Sequence, residues 1–118
     1  MKDTSITILG TEYIIKVGNK EKYPILDDCD GYTDTTIKLI VIDSMEEGEK
    51  HINSKQDLQS YQRQVARHEI LHAFLFESGL DCNSFSINAW ATNEEIIDWF
   101  SIQFPKIKKA YKELGIEW

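Results

Sequence analysis

The chain has 118 residues, 42% of them hydrophobic and 28% charged, and a formal net charge of -7. That is the composition of one globular domain, long enough for a hydrophobic core but not for two, and the acidic balance argues against nucleic acid as the main partner. No apolar run approaches the ~20 residues that span a bilayer. The opening MKDTSITILG also lacks a signal-peptide layout, so the sequence predicts a cytoplasmic protein with no membrane association.

In chain order, strands are expected within 1–43. Ser5 to Leu9 alternates, Gly10-Thr11 can turn, and Glu12 to Val17 resumes the alternation, which predicts a hairpin. Asp27 to Asp34 (DDCDGYTD) is rich in turn formers. Thr35 to Ile42 (TTIKLIVI) is the most strand-like run, and its apolar residues become continuous, as in a strand covered on both faces. Ser44 to Asn53 reads as a polar loop.

A helix is predicted over 54–78, with Ser54 and Asp57 at capping spacing. Leu58, Tyr61 and Val65 form one stripe. From Ile70 to Phe76 the helix is apolar almost all round, which predicts a central, buried element. Gly79 is its stop. A polar loop follows from Asp81 to Ala91, and Thr92-Asn93-Glu94-Glu95 is a capping box opening a second helix over 93–114. Ile97, Phe100, Phe104, Ile107, Tyr111 and Leu114 form its expected core stripe, with Pro105 expected to kink or restart it. Lys106, Lys108, Lys109 and Lys112 read as a solvated face. Cys29 and Cys82 stand apart rather than as a C-x-x-C pair, and read as buried or semi-buried thiols. The fold class expected is α+β in a single domain over 1–118: a small, mostly antiparallel N-terminal sheet followed by two packed helices.

The chemistry lies in His68-Glu69-Ile70-Leu71-His72, an H-E-x-x-H on the first helix. Residues four apart project from one face, so both imidazoles can reach one metal ion. Glu69, rotated by about 100°, stands beside the ligands and can act on a metal-bound water without coordinating. A catalytic zinc site wants three protein ligands and one open position. Glu94 and Glu95 are the candidates for the third. Glu94 lies at the edge of the stripe of Ile97, Phe100 and Phe104, whereas Glu95 points nearly opposite and serves the capping box, so Glu94 is preferred. Asp98, one turn beyond, is either a carboxylate that orients a liganding histidine or a solvent-facing acid.

These residues resemble the compact zincin-like metallopeptidases. The likeness rests on H-E-I-L-H-A-F-L-F-E-S-G-L (His68 to Leu80) and N-E-E-I-I-D-W-F (Asn93 to Phe100). The N-E-x-x-x-D spacing of Asn93, Glu94 and Asp98 is similar to the gluzincin arrangement, and the small size resembles the ImmA/IrrE-type peptidase domain and short phage- or prophage-encoded relatives. Asp34 to Ile40 is similar to the strand those proteins set beside the active site. Glu95 departs from the pattern, which usually has alanine there. The resemblance implies a minimal zincin-like fold, Zn²⁺ as cofactor, hydrolysis of a peptide bond in a protein or peptide substrate, and His68, His72 and Glu94 as ligands with Glu69 as general base. Tyr32, His51 and Tyr111 are the candidates to stabilise the oxyanion. The substrate is expected to add to the sheet edge near Thr35 to Ile42. The competing expectation is a non-catalytic zinc-binding protein that acts by protein–protein interaction.

Overall fold

The structure is a computed structural model, and it describes residues 1–46, 55–83 and 94–118, without the side chains of Asn83, Ile97, Asp98 and Ser101. It is an α+β domain: a four-stranded sheet followed by helices. The strands are β1 (Thr4–Ile8), β2 (Thr11–Gly18), β3 (Gly31–Asp34) and β4 (Leu39–Asp43). The helices are α1 (Leu58–Glu77), a short α2 (Leu80–Asn83) and α3 (Glu94–Glu113).

The expected β1–β2 hairpin forms, with its turn one residue earlier than Gly10-Thr11. Thr11 pairs with Ile8, and the two turn residues are Leu9 and Gly10, both at positive φ (49° and 90°), the backbone that best matches the twist of paired strands. The strand order is β1-β2-β4-β3, with β2 and β4 parallel and the other two pairings antiparallel. The parallel pairing comes about because β4 returns to lie between β2 and β3.

Two expectations for this region need correction. The strand read over Thr35 to Ile42 begins only at Leu39, since residues 35–38 form the turn that joins β3 to β4. The turn-rich stretch ending at Asp34 contains β3, an edge strand. Ile40, Val41 and Ile42 of β4 are completely buried, as a strand covered on both faces requires. One face carries Ile6, Ile8, Tyr13, Ile15, Ile40 and Ile42 against α1 and the C-terminal half of α3. On the other face a 3₁₀ turn (Pro24–Asp27), with fully buried Leu26, packs beside β3.

Helix α1 is capped by Asp57, whose carboxylate accepts from the Ser60 N–H at 2.9 Å, rather than by Ser54, which lies outside the described residues. Its buried positions (Gln62, Val65, Ala66, Glu69, Ile70, Ala73 and Phe74) recur every three to four residues and define one face. The helix is therefore not central: His68 and His72 are exposed. The reason is layering, since the sheet and α3 cover one side of α1 only. The segment read as a loop from Asp81 begins with the single turn of α2, and Thr92 lies outside the described residues.

Helix α3 continues through Pro105. Its inward stripe matches the one expected at Ile107, Tyr111 and Leu114 and departs from it at Phe100 and Phe104, while the side chain of Ile97 lies outside the described residues. Ile107 and Ala110 are buried and Trp99, Tyr111 and Leu114 pack against the core, while Phe100 and Phe104 are about half exposed. Trp99 reaches α1 by donating from its indole N–H to Ser78 Oγ at 3.0 Å, and Tyr111 donates to the Arg67 carbonyl at 2.9 Å. Lys106, Lys108, Lys109 and Lys112 are exposed, as a solvated face should be. Cys29 is half-buried, but Cys82 on α2 is exposed rather than sheltered.

The far end of α1 is tied to the sheet by Glu77. Its carboxylate accepts from Thr11 Oγ1 (3.0 Å), Tyr13 Oη (2.7 Å) and Lys38 Nζ (2.6 Å). The hydrogen bond from Lys38 is the main reason the Glu77 carboxyl sits below its ordinary pKa, with Tyr13 and Thr11 adding to it and burial opposing. Burial and the bond to Glu77 in turn push the Tyr13 hydroxyl well up.

Candidate metal centre

Residues 68 and 72 stand one turn apart on the open side of α1, and their rings meet. The two Nε2 atoms are 3.0 Å apart and the ring planes are inclined at 72°. Two imidazole nitrogens bound to one tetrahedral zinc at ~2.0–2.1 Å would be separated by roughly 3.3 Å. The observed pair is close to that edge, so the donor set fits a metal ion in chemistry and in spacing. The same distance also suits a hydrogen bond between two neutral rings, one donating and one accepting.

Glu69, about 100° round the helix from His68, turns toward the sheet. It is only 6% exposed, yet it carries a carboxylate. A buried carboxylate needs a donor, and Thr33 of β3 supplies one: its hydroxyl lies 2.9 Å from Glu69 Oε2 and 2.9 Å from the Glu69 main-chain oxygen. Gly31, two residues earlier on the same face of β3, lets the strand approach this closely. A Cβ there would come within 2.7 Å of Val65 Cγ1 and 3.2 Å of Glu69 Cγ.

Beside His68 and Glu69 opens a cavity of about 340 Å³, lined by Cys29 and Asp30 just before β3, by Gly31 at its start, and by Tyr61, Gln64 and Val65 of α1. Tyr61 is seven residues before His68 and so lies on the same helix face. Its hydroxyl donates to Asp30 Oδ2 at 2.5 Å, which pushes the tyrosine up to about 12.

The two imidazoles thus meet, and His68 shares the wall of this cavity with Glu69. Glu94 is exposed in the first turn of α3, and among the described residues no group of three His, Cys, Asp or Glu side chains converges. The preference for Glu94 over Glu95 rests on its place beside Phe100 and Phe104, and those two side chains are about half exposed rather than turned to the core. The side chain of Asp98 lies outside the described residues. Of the residues considered for the oxyanion, His51 also lies outside them. Tyr111 spends its hydroxyl on Arg67, and Tyr32 alternates with Gly31 and Thr33 and so faces away from α1. The sequence reading missed Gly31, Thr33, Asp30 and Tyr61. A glycine two residues before a threonine in a short extended run was the available signal for the first two.

The expected docking strand also changes. β4 is paired on both sides, so among the described residues the unpaired edge next to His68 and Glu69 is that of β3. No helix among the described residues is long and apolar enough to cross a membrane. Comparison of the chain with family models, with curated proteins and with solved structures finds no match in any of the three.

Proposed function

We propose that this chain is a zinc-dependent metallopeptidase domain of the zincin-like, phage- or prophage-encoded kind, acting on a protein or peptide substrate in the cytoplasm. One observation carries the reading: two imidazole nitrogens 3.0 Å apart on consecutive turns of α1, beside a buried glutamate that belongs to neither. A purely structural zinc site has no use for that carboxylate.

On this reading His68 and His72 hold the ion and Glu94 completes the set, with Glu95 as the control residue. Bound zinc supplies Lewis acidity for the scissile carbonyl and for the attacking water. Glu69 accepts the proton of that water at a carboxylate oxygen as the new carbon–oxygen bond forms. It then returns the proton to the amine nitrogen as the carbon–nitrogen bond breaks. An extended substrate pairs with the edge of β3 that is unpaired among the described residues, whose first residue, Gly31, lines the cavity.

The test is zinc content after extensive dialysis. The wild type should retain about one zinc per chain. His72→Ala and Glu94→Ala should lose it, Glu95→Ala should keep it, and Glu69→Gln should keep it while losing turnover. Wild-type protein that binds no zinc when zinc is offered would end the reading. A Glu69→Gln variant that keeps full biological function would instead favour the non-catalytic zinc-binding alternative.

A further inference from the structure

The Thr33 hydroxyl has one proton and two acceptors at equal distance, the main-chain oxygen of Glu69 and its carboxylate Oε2. With the carboxylate ionised, the proton goes to Oε2, because a charged acceptor makes the stronger bond. Glutamate otherwise has three side-chain torsions to explore, and among the described residues Thr33 is the one group that bonds this carboxylate. Thr33 is itself fixed: it lies on β3 opposite Ile40, and β3 is held against α1 by the close approach at Gly31.

We propose that Thr33 is a positioning residue for Glu69. It ties Oε2 to the sheet and so reserves Oε1 for the proton that moves during hydrolysis. The proposal rests on the metallopeptidase reading and adds to it a residue outside the H-E-x-x-H motif. It also gives the buried carboxylate of Glu69 the donor that its burial calls for.

The test needs no substrate. Acetohydroxamate binds zinc through two oxygens, and its hydroxyl calls for a carboxylate acceptor at the position Glu69 would serve. Its affinity is measured by titration of zinc-loaded wild type, Thr33→Val, Thr33→Ser and Glu69→Gln, with zinc content and the melting temperature of the zinc-free proteins recorded in parallel. Thr33→Val, which keeps the shape and loses the hydroxyl, should weaken acetohydroxamate about tenfold, toward the Glu69→Gln level, with zinc content unchanged. Thr33→Ser should return it to within about twofold of wild type.

Wild-type affinity in Thr33→Val overturns the proposal. So does a loss in Thr33→Ser equal to that in Thr33→Val, which would make the effect one of packing, and so does loss of zinc from Thr33→Val. Glu69→Gln binding as tightly as wild type removes Glu69 from the site, and Thr33 with it. A wild type that takes up no zinc fails at the earlier step and is told apart by the metal analysis alone.

Discussion

Gly31→Ala is the substitution whose effect can be worked most directly from the packing of β3 on α1. The added Cβ would lie 2.7 Å from Val65 Cγ1, 3.1 Å from the Val41 carbonyl oxygen and 3.2 Å from Glu69 Cγ. Carbon atoms in contact prefer ~3.5–4.0 Å, so the first distance is about 1 Å too short. The Val41 oxygen belongs to a completely buried residue of a strand paired on both sides and has nowhere to go. Relief therefore means moving α1 or β3, and overpacking of this kind costs about 1–3 kcal/mol. For a domain of this size that lowers the melting temperature by about 4–12 °C. The assay is thermal unfolding of Gly31→Ala, Val65→Ala and the double variant. Val65→Ala removes the atom in closest conflict, so the double variant should be more stable than the sum of the two losses by about 1 kcal/mol or more. A Gly31→Ala protein that melts with wild type, or a double variant whose loss is the plain sum, would refute the claim that strand and helix are in contact here.

Other consequences follow from the same contacts. Glu77→Ala leaves the hydroxyl of the completely buried Tyr13 and the partly buried Lys38 ammonium without their acceptor, and should cost about 2–4 kcal/mol, read as a lower urea midpoint. Because the Glu77 carboxyl is held below its ordinary pKa, its contribution is complete above the usual carboxylate range and is lost as pH falls through the depressed folded value. Glu77→Gln should therefore be less stable than wild type at neutral pH, and the two urea midpoints should converge as the pH is lowered. Asp57→Ala removes the cap from the Ser60 N–H and should cost ~1 kcal/mol, or about 4 °C in melting temperature.

How far the sequence could be read depended on whether a local pattern met one competing answer or several. The H-E-x-x-H spacing admits one outcome on a helix, and His68 and His72 do meet. The β1–β2 hairpin was equally legible, because alternation on both sides left only a two-residue gap for the turn. β3 was not: four residues containing Gly31 and Asp34 look like a turn, and only pairing with β4 makes them a strand. The stripe of α3 was legible in its second half, where Ile107, Tyr111 and Leu114 do meet the core, and not in its first. There Trp99 is apolar as well as Phe100 and Phe104, so period alone offered two faces, and the contacts choose the one through Trp99 and Gln103, whose Oε1 is buried. With Phe100 and Phe104 turned outward, the first turn of α3 gives no preference for Glu94 over Glu95, and metal analysis of the two variants decides between them.

Strand order links these points. β4 enters between β2 and β3, which fills both of its own edges and leaves β3 outermost beside α1. Alternation along β3 then divides its work: Gly31 and Thr33 face α1, while Tyr32 and Asp34 face away. One four-residue strand thereby supplies three things at the same place: a backbone edge unpaired among the described residues, a glycine that admits the helix, and a hydroxyl that reaches Glu69. Had β4 been the edge instead, its unbroken Leu39–Asp43 run would have offered an apolar edge with no hydroxyl to reach that glutamate. The polar, turn-like composition that hid β3 in the sequence is what allows it to sit open beside a buried carboxylate.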